Sequence, residues 1–263
     1  MPSATRPTTV ILAPGGPGLG PETLESLPLP HGCKRLSAMS ACHPGDDPIA
    51  LQTTRLIELI SAAAPSENVV LIGHSAGAWA AIRAASQTSA DLTAVVLIAA
   101  QLRNRIDQPE LLRKRLRMLG QPTRQYAQRA QSLSPARLPP EESELLDLLV
   151  ADLSLTLPVT GAAQFAFLDA CRRSWNVQAM RSLLTRPVDD ELPTLVQQMQ
   201  TPMMVINGEH DPWAGAASAT EIGAAAKNCV VEIIPGAGHA PWLDEPKRVG
   251  ELLVTTLEKA SSK

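Results

Sequence analysis

Ser75, Asp211 and His239 each stand where an apolar run gives way to glycine-rich sequence, and their types form a chemical set. Ser75 is the centre of "GHSAG", after Val69, Val70, Leu71 and Ile72 and before an alanine-rich stretch. Asp211 lies just beyond "MMVING", and His239 directly follows Gly236, Ala237 and Gly238 after "VVEII". A serine hydroxyl is a weak nucleophile until a base takes its proton, and an imidazole base needs an acceptor to orient it. The three types together point to nucleophilic attack on a carbonyl. The oxyanion formed in that chemistry needs two N–H donors, and the amide of Ala76, directly after the serine, is placed to be one.

Each role has a rival. His74 precedes the serine, but a neighbour on so sharp a turn points away from it. His210 reads as a loop residue beside Asp211. Asp107 follows the fourth apolar run and is a second candidate acid, or else a solvated residue before Pro109. Asp244 and Glu245 are expected to cap the last helix, whose positive N-terminal end favours acids.

The elements that must position these residues follow from periodicity. Strands are expected at 8–13, 34–39, 68–72, 94–99, 203–207 and 230–234, and helices at 49–63, 76–87, 214–226 and 244–257. Alternating strand and helix implies a mostly parallel, doubly wound α/β sheet of about six strands. Its loops at the carboxyl ends of the strands then share one edge, which places Ser75, Asp211 and His239 together. Turning from strand to helix within about four residues forces Ser75 to positive φ, with Gly73 and Gly77 giving the passing segments room. Residues 101–200 break the alternation. They carry prolines and helical spacing (Leu112, Leu116, Leu119; Leu145, Leu149, Leu153) without a convincing strand, and so read as an inserted helical cap. The core domain is then 1–100 with 201–263.

Composition excludes several classes. Net charge is −3 over 263 residues, with no basic bias toward nucleic acid. No apolar run is long enough to span a membrane, and MPSATRPTTV lacks the apolar segment of a secretory leader. Cys33, Cys42, Cys171 and Cys229 have no C-x-x-C spacing, and the five histidines share no ligand spacing. The expectation is a cytoplasmic protein, monomer or homodimer, with reduced thiols and neither metal nor cofactor.

The motifs at Gly73–Gly77, Gly208–Asp211 and Gly236–His239, in the order Ser, Asp, His, resemble the α/β-hydrolase superfamily over nearly the whole chain outside the insertion. The resemblance implies that Ser75 is nucleophile, His239 base and then acid, and Asp211 the orienting carboxylate. "LAPGGPGLG" is similar to the H-G-G-P-G oxyanion loop of the proline iminopeptidase branch, with Pro14 where that branch has histidine. Alignment to that branch makes Gly16 the second oxyanion donor, since Pro17 has no N–H. Two departures stand against that branch's specificity: no tryptophan follows Ser75, and the insertion has no assignable acidic pair for a free amine. Family members commonly open with an antiparallel hairpin, which is expected to be absent here. The 34–39 strand then lies at or near a sheet edge, suited by Lys34 and Arg35.

Aromatics are 3% of the chain, so their positions carry information. Trp213 and Trp242 follow Asp211 and His239 closely, while Phe165, Phe167 and Trp175 fall together in the insertion. They are candidates for an apolar substrate pocket between core and cap, or for ordinary packing. Arg103, Arg105, Arg113, Lys114, Arg115, Arg117, Arg124, Arg129 and Arg137 face only Asp107 and Glu110 in their stretch. They form either a solvated face or an attraction for an anionic or carrier-linked small-molecule substrate. The expected activity is cofactor-independent serine hydrolysis of a small apolar ester, thioester or lactone. Aminopeptidase or C–C bond hydrolysis, elimination, cyclisation or acyl transfer on the same residues, and simple ligand binding are the alternatives.

Overall fold

The computed structural model describes residues 6–38, 42–103, 105–158, 161–185 and 190–261. Six strands form one sheet: β1 (Thr8–Ala13), β2 (Lys34–Ser37), β3 (Asn68–His74), β4 (Ala94–Ile98), β5 (Met203–Gly208) and β6 (Cys229–Ile234). Their order is β2-β1-β3-β4-β5-β6, and every pairing is parallel. Among the described residues there is no antiparallel hairpin, and β2 is an edge strand, as the sequence suggests. Met39, expected to end that strand, lies outside the described residues.

Side chains alternate across the sheet with period two. Ile11, Leu71, Val95, Leu97 and Val205 face one apolar layer, and Val10, Leu12, Val70, Ile72, Val96 and Ile206 face the other. The first layer is built with α1 (Pro48–Ala63), α2 (Ala76–Gln87) and α9 (Ala216–Ala225). Helix α1 starts where the Asp47 carboxylate accepts the Ile49 and Ala50 N–H groups ahead of a first-turn proline. It buries Ile49, Leu56, Ile60 and Ala63, a stripe at helical spacing. Alanines of α2 let it lie close against α1 and the sheet. The second layer is closed by α11 (Pro246–Ser261) through Val249, Leu252, Leu253 and Leu257. That helix begins two residues later than periodicity suggests. A one-turn helix, α10 (Pro241–Asp244), ends before Glu245, because a residue preceding proline avoids helical geometry.

Between β4 and β5 the described chain is helical: α3 (Pro109–Met118), α4 (Thr123–Ala130), α5 (Glu142–Ser154), α6 (Ala162–Ser174), α7 (Val177–Leu184) and α8 (Leu192–Gln198). These helices pack on both layers of the sheet as well as on one another. Leu192 and Val196 of α8 join the layer on the α1–α2 side, whereas Leu153, Leu157, Phe167 and Cys171 join the opposite one. A small core of their own holds Leu112, Ala127, Ala151 and Leu155.

Candidate active site

Ser75 sits at the β3–α2 junction with φ 53° and ψ −124°, an arrangement an L-residue adopts only under constraint. The flanking glycines impose that constraint. A Cβ on Gly73 would lie 2.7 Å from Ala78 Cα, and one on Gly77 would overlap the Ala13 and Pro14 carbonyls. The turn lifts the Ser75 hydroxyl to the carboxyl edge of the sheet, where it is partly exposed.

His239 and Asp211 meet it there. The Ser75 Oγ–H donates to His239 Nε2 at 2.9 Å, and His239 Nδ1–H donates to Asp211 Oδ2 at 2.6 Å. Both partners are buried. Asp211 Oδ1 accepts the Trp213 N–H at 2.9 Å, so each carboxylate oxygen has a defined role. The two loops are locked side by side, because His210 N–H donates to the Ala237 carbonyl and Gly208 leaves no room for a Cβ against Ala237 and Gly238. Facing the serine, the Gly15–Gly16 turn packs directly on it. Among the described residues, neither the Gly16 nor the Ala76 N–H has an acceptor. Gly16 takes φ +113°, which favours glycine.

The rivals resolve into support. His74 is fully buried and its Nε2–H donates to the His239 carbonyl at 3.0 Å. Burial first, then the neighbouring His239, pushes its pKa down to about 3. It is therefore a neutral strut, and among the described residues its Nδ1 has no hydrogen-bond partner. Asp107 is neither a second acid nor solvated. Its carboxylate accepts the Gly215 and Ser218 N–H groups at the start of α9 and pairs with Arg105. Asp244 does not cap α11, because the helix break puts it elsewhere. It accepts the Gly238 N–H at 2.9 Å and Gln164 Nε2 at 2.8 Å, bracing the turn that presents His239.

Two positioning residues escaped the sequence reading. Asn207 is completely buried, accepts the Ala100 N–H and donates to the Ala100 and Gly215 carbonyls, joining β4's end to the Asp211 loop. Gln108 donates to the Glu209 and Asp211 carbonyls from the β4 side. Asn207 carried a signal, being the polar residue that ends the apolar run Met203, Met204, Val205, Ile206. Gln108 carried none, since only the fold brings residues 108 and 211 together.

The five aromatics occupy different places. Trp213 is half-buried with its ring edge-on to His239, centroids 5.3 Å apart. Trp175 is half-buried and donates its indole N–H to the Pro17 carbonyl at 3.0 Å. Trp242 is closed into the interior against His74 and Phe167, its N–H on Ser26 Oγ. Phe165 faces outward, 62% exposed. In the basic run, Arg103 and Arg105 pair with Glu221, Arg113 with Glu110, and Arg129 with Glu144. Among the described residues, no group of three or more His, Cys, Asp or Glu could hold a metal ion. No described helix is long and apolar enough to cross a membrane.

Comparison with known proteins agrees with this fold. The family model described as "Alpha/beta hydrolase family" matches residues 3–252. No curated protein matches the chain significantly in sequence. Similar solved structures include an esterase from Exiguobacterium antarcticum, 13% identical, with TM-score 0.70 over 97% of this chain and 93% of that one. A proline iminopeptidase from Mycobacterium smegmatis is 16% identical, with TM-score 0.65 over 97% and 90%. A thermophilic esterase from Thermogutta terrifontis is 19% identical, with TM-score 0.63 over 97% and 91%. With a family match across nearly its whole length and a sheet of the corresponding architecture, this chain belongs to the alpha/beta hydrolase family.

Proposed function

We propose that this protein is a cofactor-independent serine hydrolase that cleaves a small apolar carboxylic ester, thioester or lactone through an acyl-enzyme. The observation that carries the reading is the continuous hydrogen-bonded line Ser75–His239–Asp211 beside two N–H groups without acceptors. Ser75 Oγ attacks the carbonyl carbon as its proton passes to His239 Nε2. Asp211 holds the ring in the required tautomer and faces the imidazolium that forms. The substrate oxygen, now an anion, takes the Gly16 and Ala76 N–H groups. Collapse of the tetrahedral species expels the alcohol or thiol, which receives the proton from His239. Water then attacks the acyl-serine by the same route and regenerates Ser75.

Trp213, edge-on to the base, supports an apolar wall at the site, with Trp175 beside the Gly16 loop. The pairing of Arg103, Arg105, Arg113 and Arg129 with carboxylates favours the solvated-face reading of the basic run over an anionic substrate.

A fluorophosphonate probe should add one adduct to the peptide carrying Ser75, and p-nitrophenyl esters of graded chain length should show turnover with a short-chain preference. Ser75→Ala should abolish both. Turnover of these esters by Ser75→Ala at the wild-type rate, with no labelling of the wild type, would reject the proposal.

A further inference from the structure

Arg115 lies on α3 in the middle of the basic run, yet it is turned inward. Its Nη1 donates to the Leu155 carbonyl at 2.8 Å, and its Nη2 to the His210 carbonyl at 2.7 Å. Each acceptor immediately precedes a residue that holds the site. His210 precedes Asp211. Leu155 precedes Thr156, whose carbonyl accepts the His239 N–H at 3.1 Å. Thr156 is itself completely buried, and a Cβ on Gly238 would overlap its carbonyl, so the α5 end and the histidine loop are flush. One planar guanidinium thus spans the junction of α3, the α5 end and the loop after β5.

The chemistry suits arginine alone. Two carbonyls that diverge from one point need a rigid fork with separate N–H donors, which a lysine ammonium supplies poorly. Desolvation lowers the guanidinium's pKa, while the Asp211 and Asp244 carboxylates oppose this. The group stays charged, since arginine is not deprotonated in proteins. Neutral carbonyls rather than a carboxylate occupy its fork, so its charge is left to act on the nearby Asp211.

We propose that Arg115 is a positioning residue for catalysis, fixing from the inserted helices the separation of the loops that carry Asp211 and His239. The proposal rests on the serine-hydrolase reading and adds to it a residue outside the Ser–His–Asp set. A small displacement of His239 relative to Ser75 should suffice to slow chemistry by about 10- to 100-fold.

The test compares wild type with Arg115→Met, which keeps length without donors, and Arg115→Lys, which keeps charge with a poorer fork. Expected for Arg115→Met is a kcat on a p-nitrophenyl ester lowered by about 10- to 100-fold at nearly unchanged KM. Fluorophosphonate labelling of Ser75 should slow in parallel, and Arg115→Lys should recover part of both. Millimolar guanidinium chloride added to Arg115→Ala should restore turnover. Hydrogen exchange at the His239 amide should accelerate in Arg115→Met while amides of β3 and β4 stay protected. Unchanged kcat and labelling in a folded Arg115→Met overturn the proposal, and so does a raised KM at constant kcat, which marks a substrate contact. Global loss of protection with no recovery in Arg115→Lys also overturns it, since the role is then one of stability. Absence of Ser75 labelling in wild type instead removes the hydrolase reading, and the His239 exchange still decides whether Arg115 holds that loop.

Discussion

At the scale of single residues, Asp211, the acid its local motif favours, and its rival Asp107 have separate roles. Asp211 is completely buried against His239, whereas Asp107 ties down the first turn of α9. Asp211→Asn should reduce kcat by about 10⁴-fold with little change in KM, because the amide favours the wrong imidazole tautomer. Asp107→Ala should leave kcat within about threefold and cost about 1 kcal/mol of stability through the lost cap. Steady-state kinetics and urea denaturation of both variants check this, and a large kcat loss in Asp107→Ala alone would reverse the assignment. Buried His74 and half-buried Asp152 set opposing pH dependences. His74 has its pKa lowered from 6.5 to about 3, so the unfolded chain takes a proton first and stability falls as pH drops through that window. Burial raises Asp152 from 3.8 to about 7, and among the described residues one of its carboxylate oxygens has no hydrogen-bond partner. The stability of its protonated form is present below about pH 4 and lost as pH rises toward 7. Between about pH 4 and 6.5 the two slopes, each about 1.4 kcal/mol per pH unit, have opposite signs. Asp152→Asn should therefore make stability rise with pH, and His74→Gln should make it fall. Parallel curves for the two variants in urea titrations would refute the pairing.

At the scale of elements, the Gly16 loop is held by the segment joining α6 to α7. Gly20 N–H donates to Ser174 Oγ, Trp175 Nε1–H to the Pro17 carbonyl, and Asn176 N–H to the Gly18 carbonyl. Gly18 has φ +90° and its missing Cβ leaves room for the Asn176 carbonyl and Ala179. The loop's shape is thus imposed from outside it. Trp175→Phe removes one of those ties while keeping an aromatic ring. Its kcat on a p-nitrophenyl ester should fall about tenfold with KM within about twofold, as expected for a displaced oxyanion donor. A rise in KM at constant kcat would make Trp175 a wall of the substrate pocket instead.

At the scale of the whole molecule, the helices between β4 and β5 complete the core as well as the site. Leu153, Leu157, Phe167 and Cys171 pack into the same layer as Leu19, Leu24 and Trp242. Burial raises the Cys171 thiol to about 12, in keeping with an inert core position. Replacing α3 to α7 by a short linker, with α8 retained, should expose that layer. The product should bind a hydrophobic dye, lose its cooperative thermal transition and fail to label at Ser75. Calorimetry and probe labelling read this directly. A cooperative, labelled product with merely altered ester preference would show that these helices only shape a pocket.

The residues that could do chemistry, and the sheet that carries them, were legible in the amino-acid order because both are local patterns. Val69, Val70, Leu71 and Ile72 followed by Gly73 admit few structures besides a buried strand and a tight turn. Parallel strands then bring the loops after them to one edge, so Ser75, Asp211 and His239 could be grouped before any distance was known. What the fold alone decided are contacts between residues far apart in the chain. Arg115 reads as one of nine basic residues until α3 turns it toward Leu155 and His210. Asp107 and Asp244 read as acids near a helix or an active site until the break at Glu245 and the start of α9 give each its N–H partners. Phe165 and Phe167 are identical in type and two apart, yet one faces outward and the other packs on Trp242. Sequence determines such things only through the helix rotation and the packing of every neighbour at once. Short-range periodicity fixes which residues share a face, and close packing of the complete chain fixes what that face meets.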